Sequence, residues 1–177
     1  MEASILYTDR LIIRPIEPRD WPAFRELHLD AEVNRFVREV QSEAEIIAKF
    51  QGRLQPWYYA SGDWLTLVVE TLDGEFVGFT GFYCQDAFSK RVEVGYMMSP
   101  LQQGKGYASE SLRAVVDWAC LRFEVHKFVG CCATQNQASV KVMQKCGFTQ
   151  EGLMRSHYRI GDIWVDEYVM GLVASER

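Results

Sequence analysis

The stretch from Val92 to Ala133 constrains the fold more than any other part of the chain. A β-branched and aromatic run, Val92 to Met98, gives way to the glycine-rich segment Gln102 to Gly106. The period then changes. Leu112, Val115, Val116, Ala119, Cys120 and Phe123 recur at steps of three, four, seven, eight and eleven residues, the stripe of a core-facing helix. Lys127 to Ala133 returns to a short apolar strand. Strand, helix and strand in that order predict a right-handed crossover whose two strands run parallel.

The flanks of this unit read mostly as antiparallel structure. Leu11 to Arg14 is a first strand, stopped by Pro15 and Pro18, and Asp20 stands as a helix N-cap before Trp21-Pro22. Ser42-Glu43-Ala44-Glu45 is a capping box opening a helix with Ile46, Ile47, Phe50 and Leu54 on one side. Trp64 to Val69 and Phe76 to Tyr83 meet through Asp73-Gly74, a hairpin signal. Ser139 to Lys145 reads as a short helix stopped by Gly147, and strands near Phe148 to Tyr158 and Ile163 to Leu172 flank Gly161-Asp162. The expectation is one α/β (α+β) domain over residues 1–177. Its mixed, mostly antiparallel sheet has about seven strands, with helices packed on it.

Composition narrows the function classes. The chain has 177 residues, long enough to bury roughly 70% of its unfolded surface. A net charge of −5 leaves little to neutralise phosphate, so nucleic acid is not an expected partner. The longest aliphatic stretch, Leu65 to Val69, is far short of the roughly 20 residues that span a bilayer, so no membrane is expected. Glu2, Asp9 and Arg10 around a three-residue apolar patch make no signal peptide, and five cysteines without paired spacing read as reduced thiols. A cytoplasmic protein is expected. The isolated His28, His126 and His157 offer no metal-ligand spacing, so no metal is expected.

Gln103-Gly104-Lys105-Gly106-Tyr107-Ala108 lies between a strand and a helix. Small residues there let successive N–H groups converge at a positive helix end, a cradle for pyrophosphate. Equally, the segment reads as a turn that merely needs glycine.

Gln103-x-x-Gly106-x-Ala108, followed by Asn136-x-x-Ser139 and Gly147-Phe148, resembles the GNAT N-acetyltransferase superfamily. Thr8-Asp9-Arg10-Leu11-x-x-Arg14, Glu93-x-Gly95-Tyr96 and Gly161-Asp162-x-x-x-Asp166 resemble its RimJ/RimL branch, which acetylates ribosomal-protein N-termini. The resemblance implies a central parallel pair that splays apart, helices on both faces, and acetyl-CoA as cosubstrate. It implies that the backbone of Gln103, Gly104, Lys105, Gly106, Tyr107 and Ala108 holds the pyrophosphate, with Lys105 as an exposed charge nearby. The main chain of Met97 and Met98, with Asn136 opposite, meets the pantetheine arm and the acetyl carbonyl. Many relatives place a tyrosine acid four residues before the glycine of the last motif; here that position is Met143, and Ser139 is the alternative hydroxyl. The same hydroxyl also fits a purely local role in a first helical turn.

The reaction implied is direct attack of a primary amine on the thioester, with no covalent enzyme intermediate and with positioning supplying on the order of 10⁵-fold or more. The preferred acceptor is a protein or peptide N-terminal α-amine. About one-seventh of such an amine is neutral at pH 7, against about one molecule in 2,500 for a lysine-like amine. Two bases are open, Glu93 on the strand before the loop and His157 on the late strand, where the branch carries an acidic group. His157 is the preferred one. The alternatives are a small-molecule N-acetyltransferase acting on polyamines, amino acids or antibiotics, and a silent acyl-CoA-binding module. A homodimer is compatible with the resemblance.

Overall fold

A computed structural model describes residues 4–177; the first three residues, including the Glu2 of the N-terminal reading, lie outside them. The elements run β1 (Leu6–Tyr7), β2 (Leu11–Pro15), α1 (Trp21–Leu29), α2 (Ala31–Asn34), α3 (Glu43–Arg53), β3 (Leu65–Thr71), β4 (Phe76–Asp86) and β5 (Arg91–Met98). They continue through α4 (Tyr107–Phe123), β6 (Lys127–Ala133), α5 (Gln137–Lys145), β7 (Thr149–Ile160) and β8 (Ile163–Val173). All strands join one sheet of order β1-β2-β3-β4-β5-β6-β8-β7, antiparallel except for β5 beside β6. Among the described residues the sheet has eight strands, one more than expected. The addition is β1, whose two residues are too few to display an alternation.

Alternation along the strands sends apolar side chains to both faces. Leu67 and Val69 join Leu112, Val115 and Val116 of α4 in one core, with Val140 and Met143 of α5. Val68 and Phe79 face the other way, onto Phe24 and Leu27 of α1 and Ile46 and Phe50 of α3. Helices therefore cover both faces, and each core is sealed by side chains worth about 1.5–3 kcal/mol apiece when buried. Ile47, expected on the buried stripe of α3, is instead exposed, and Ile46 and Phe50 carry the helix into the core with Leu54 partly buried beside them.

The capping box on α3 forms as expected: Ser42 Oγ accepts from Glu45 N while Glu45 Oε2 accepts from Ser42 N. Asp20 stands at the start of α1 but caps nothing there. Its carboxylate accepts from Glu17 N at 2.7 Å and grips the buried Arg14 guanidinium at 2.7 and 2.8 Å. Glu70 on β3 accepts from Arg14 Nε and Nη2, and the Pro15 carbonyl accepts from Nη1, so one guanidinium ties β2, β3 and the entrance to α1 together. These partners hold the Arg14 guanidinium firmly charged against the cost of burial.

The N-terminal motif has a separate task. Thr8 Oγ1 donates to Glu110 Oε1 at 2.6 Å, and Arg10 Nε donates to Glu110 Oε2 at 2.7 Å. Arg10 Nη1 also donates to the Lys105 carbonyl at 3.0 Å, and its guanidinium lies 4.7 Å from the centre of the Tyr107 ring. Residues from the first ten thereby fix the glycine loop and the first turn of α4.

Candidate active site

The parallel pair is short. β5 and β6 are in register only at Arg91–Lys127, Val92–Phe128 and Glu93–Val129, after which both strands continue without pairing to each other. Ser99 N donates to the Val77 carbonyl on β4. In an antiparallel ladder such bonds occur at alternate residues, so the main-chain groups of Met97 turn to β4 and those of Val94, Tyr96 and Met98 turn into the open seam. Of the two methionines, Met98 is thus the one with main-chain groups in the seam, and its carbonyl accepts from Gln103 Nε2 at 3.3 Å. A cavity of about 460 Å³ runs through this gap. It reaches residues of both faces, from Met143 and Ser139 on α5 to Phe24 on α1.

On the α5 side, the glycine loop has the backbone that its composition allows. Gly104 and Gly106 sit at φ +77 and +85, the left-handed region that costs other residues about 1–2 kcal/mol. Gly106 immediately precedes α4, so the N–H groups of Tyr107, Ala108 and the following turn point out of the helix end. Lys105 Nζ donates to Gln102 Oε1 at 2.8 Å, an exposed contact beside the loop. Asn136 lines the cavity and caps α5, its Oδ1 accepting from Ser139 N at 3.1 Å; the Nδ2 donors are what its amide has to offer a ligand. Ser139 Oγ lies 2.8 Å from the Tyr96 hydroxyl, and the same hydroxyl lies 3.1 Å from the Ser139 carbonyl. Burial raises the Tyr96 phenol well above its ordinary pKa, which keeps its proton in place. Cys132, also on the wall, is pushed up to about 11 by burial.

On the opposite side two carboxylates line the cavity. Glu93 accepts from Tyr83 Oη at 3.0 Å and Gln85 Nε2 at 2.7 Å. Glu167 on β8 pairs with Ala133 of β6 and lines the same cavity, and its side chain is only 15% exposed. Burial raises the Glu167 pKa and the Glu93 charge adds to this, while His157 opposes it. Cys131 beside them is pushed up to about 12, by burial first and by the two glutamates.

His157 does not reach the cavity wall. Its side chain is 49% exposed, and Nε2 stands 3.7 Å from Glu167 Oε2 on the outer side. The cause is a bulge in β7: Met154 pairs with Glu167 and Tyr158 with Val165, leaving three residues opposite one. Ser156 takes a left-handed φ of +47 there, and its N–H donates to Asp166 Oδ1 at 2.7 Å. The bulge leaves Tyr158, not His157, on the cavity wall, where the Tyr158 hydroxyl donates to the Phe36 carbonyl at 2.9 Å.

Sequence reasoning missed Glu167 and the site role of Tyr96. Glu167 had a signal, since it is the one charge in the alternating set Val165, Glu167, Val169, a face of the strand that is otherwise apolar. Among the described residues no cluster of three or more His, Cys, Asp or Glu side chains could hold a metal, and no helix is long and apolar enough to cross a membrane.

Comparison with known proteins agrees with this geometry. The family described as the acetyltransferase (GNAT) domain matches residues 10–149. An uncharacterised N-acetyltransferase of Bacillus subtilis (strain 168), YnaD, is 27% identical over 96% of both chains. In structure, the chain is similar to RimL, a ribosomal L7/L12 α-N-protein acetyltransferase in complex with coenzyme A, at 23% identity and TM-score 0.84, covering 96% of this chain and 98% of that one. It is also similar to a spermidine N-acetyltransferase of Vibrio cholerae in complex with CoA and spermine, at 19% identity and TM-score 0.83, covering 96% and 98%. The two structural likenesses carry the fold; the acceptors of those proteins differ.

Proposed function

The chain belongs to the acetyltransferase (GNAT) family, and on that footing we propose that it transfers the acetyl group of acetyl-CoA directly to a primary amine, the α-amine of a protein or peptide N-terminus. One observation carries the reading: the cavity in the seam between β5 and β6 has Asn136, Ser139 and Met143 on the α5 face of the sheet and two carboxylates, Glu93 and Glu167, on the other. Donor and acceptor then meet in the gap from opposite faces.

The residues present fit acetyl-CoA. The left-handed glycines at 104 and 106 leave converging N–H groups for a pyrophosphate, and the seam presents main-chain groups to an extended amide-bearing arm. When bound, acetyl-CoA supplies an acetyl group activated as a thioester. Asn136 Nδ2 and the Val94, Tyr96 and Met98 main chain orient the arm. Ser139 Oγ, held by the Tyr96 hydroxyl, donates a hydrogen bond to the sulfur as its bond to the acetyl carbon breaks, and the departing thiolate takes its proton from water.

On the acceptor side, Glu93 and Glu167 attract the amine, and Glu167 takes the proton that the nitrogen loses on forming its new bond. His157 receives that proton at the rim and passes it to solvent, rather than contacting the amine as its place in the sequence suggested. The neutral thiols Cys131 and Cys132 favour direct transfer over an acyl-cysteine, because the nucleophile would be a thiolate.

The test is mass spectrometry on peptides incubated with acetyl-CoA. A free N-terminus should gain the acetyl group, and an N-terminally blocked lysine peptide should not. Acetyl found only on lysine ε-nitrogen or on spermidine overturns the α-amine reading.

A further inference from the structure

The acceptor half of the cavity has more positive charge than its own carboxylates neutralise. Arg38, from the segment after α2, and Lys49 and Arg53, one turn apart on α3, all line it and are all half-buried. Arg38 Nη1 and Lys49 Nζ share a single neutral acceptor, Gln41 Oε1. Arg53 Nη1 donates to the Trp64 carbonyl at 3.4 Å and its guanidinium lies 5.9 Å from the centre of the Trp64 ring. Among the described residues none of the three is in an ion pair.

This is an unfavourable arrangement for the free protein. Half-buried cations lose hydration, and an unpaired one is tolerated poorly. The cost registers in their protonation: burial, with Arg38 and Arg53 nearby, pulls Lys49 down to about 8 against a smaller opposing pull from Glu45, and burial pulls Arg53 down to about 10 although the Asp63 charge opposes it. His28 on the same wall is lowered to about 4 by burial and brings no further charge at neutral pH. The net charge of the whole chain is −5, so the cluster is no reflection of a basic surface. The phosphate cradle lies across the sheet at the start of α4, so the three cations are not needed there.

We propose that the acceptor carries a carboxylate close to its amine, held by Arg38, Lys49 and Arg53 while the amine faces Glu93 and Glu167. This rests on the acetyl-transfer reading and narrows its substrate. The cavity is polarised, acidic where the amine reacts and basic beyond it. A polyamine would bring its second ammonium against three like charges; an acidic α-amine compound satisfies both ends. The carboxylate comes from acidic residues next to a peptide N-terminus or from a free acidic amino acid.

Initial rates of CoA release separate these. A peptide beginning Ser-Asp-Glu is compared with Ser-Asn-Gln, free glutamate with glutamine, and spermidine serves as the cationic control. The acidic member of at least one pair should exceed its amide in kcat/KM by on the order of ten- to hundredfold, and the pair that responds identifies the source. In Lys49→Gln that ratio should fall towards one, and in Lys49→Glu it should invert. Thermal melts establish that both variants fold, and the wild-type ratio stands without them. Equal rates for acid and amide in both pairs, or a preference for spermidine, overturn the proposal while leaving acetyl transfer intact. No CoA release with any amine overturns the acetyl-transfer reading itself and this inference with it.

Discussion

Glu167→Gln tests the proton path most directly. The change keeps the size of the side chain and removes both its charge and its basicity. Loss of a general base costs about 10²–10⁴-fold, or about 2.7–5.4 kcal/mol at about 1.36 kcal/mol per tenfold. The lower end applies here, because about one-seventh of an α-amine is already neutral at pH 7. The variant should therefore lose about 10²-fold in kcat/KM at pH 7, and both enzymes should gain about sevenfold between pH 7 and pH 9 as the remaining amine deprotonates. The wild type has a further limb at low pH. Burial and the Glu93 charge raise the Glu167 pKa, and the carboxylate is the active form, so activity falls as pH drops through that raised value. The limb should start above the ordinary carboxylate range near 4.3 and be absent in the glutamine variant. The assay is continuous thiol detection of CoA with a free-N-terminal peptide, across pH 5 to 9, on variants with matched melting curves. His157→Gln should lose less than about tenfold, since solvent replaces a rim proton carrier. If Glu167→Gln keeps more than a third of wild-type activity and its low-pH limb, while His157→Gln loses both, the imidazole is the base and the reasoning fails.

Three further perturbations address other parts of the molecule. Gly106→Asp forces a left-handed φ of +85 on a residue with a side chain, and its carboxylate repels pyrophosphate; calorimetry should record weaker acetyl-CoA binding by a folded protein, and unchanged affinity removes the loop from the site. Tyr96→Phe takes away the partner of Ser139 and should lower kcat about tenfold with little change in KM for acetyl-CoA; an unaltered kcat would leave Ser139 without a role for the phenol. Asp20→Ala leaves the Arg14 guanidinium with Glu70 as its one carboxylate partner, a loss near the lower end of the 3–5 kcal/mol typical of a broken buried pair. At about 2–4 °C per kcal/mol for a chain of this size, calorimetric Tm should fall by about 6–12 °C, and a shift under 2 °C would mean the network is structurally idle.

What could be read in the sequence was whatever depends on neighbours along the chain. The capping box at Ser42, the Asp73-Gly74 hairpin, the stripe of α4 and the glycines at 104 and 106 are local devices, and each stands in the structure where its spacing put it. What could not be read arises from register and convergence. The family resemblance implies His157 as the base, but the bulge around Ser156 leaves His157 half-exposed and brings the neighbouring Tyr158 to the cavity wall instead. Arg38, Lys49 and Arg53 look in sequence like the solvated charges of any surface segment; only the packing of α3 over the seam brings them to one wall. Asp20 has the residue type and position of a cap, yet a buried guanidinium six residues earlier claims its carboxylate.

The parting of β5 and β6 has a consequence for the motions of the sheet. Below Glu93 the two strands share a ladder; above it, the amides of Val94, Tyr96 and Met98 lack a neighbouring strand on that side. A ligand whose own amides lie in the gap takes the place of missing rungs. It should protect those three N–H groups against exchange with deuterated water far more than the amides of Arg91 to Glu93, which the ladder already shields. At a hundredfold excess over Kd such a ligand adds about 2.7 kcal/mol to the stability of whatever unit unfolds with the seam. The donor substrate then acts as a removable piece of secondary structure, and the half-sheet carrying β6, β7 and β8 gains its firmest attachment to the rest only when that piece is in place.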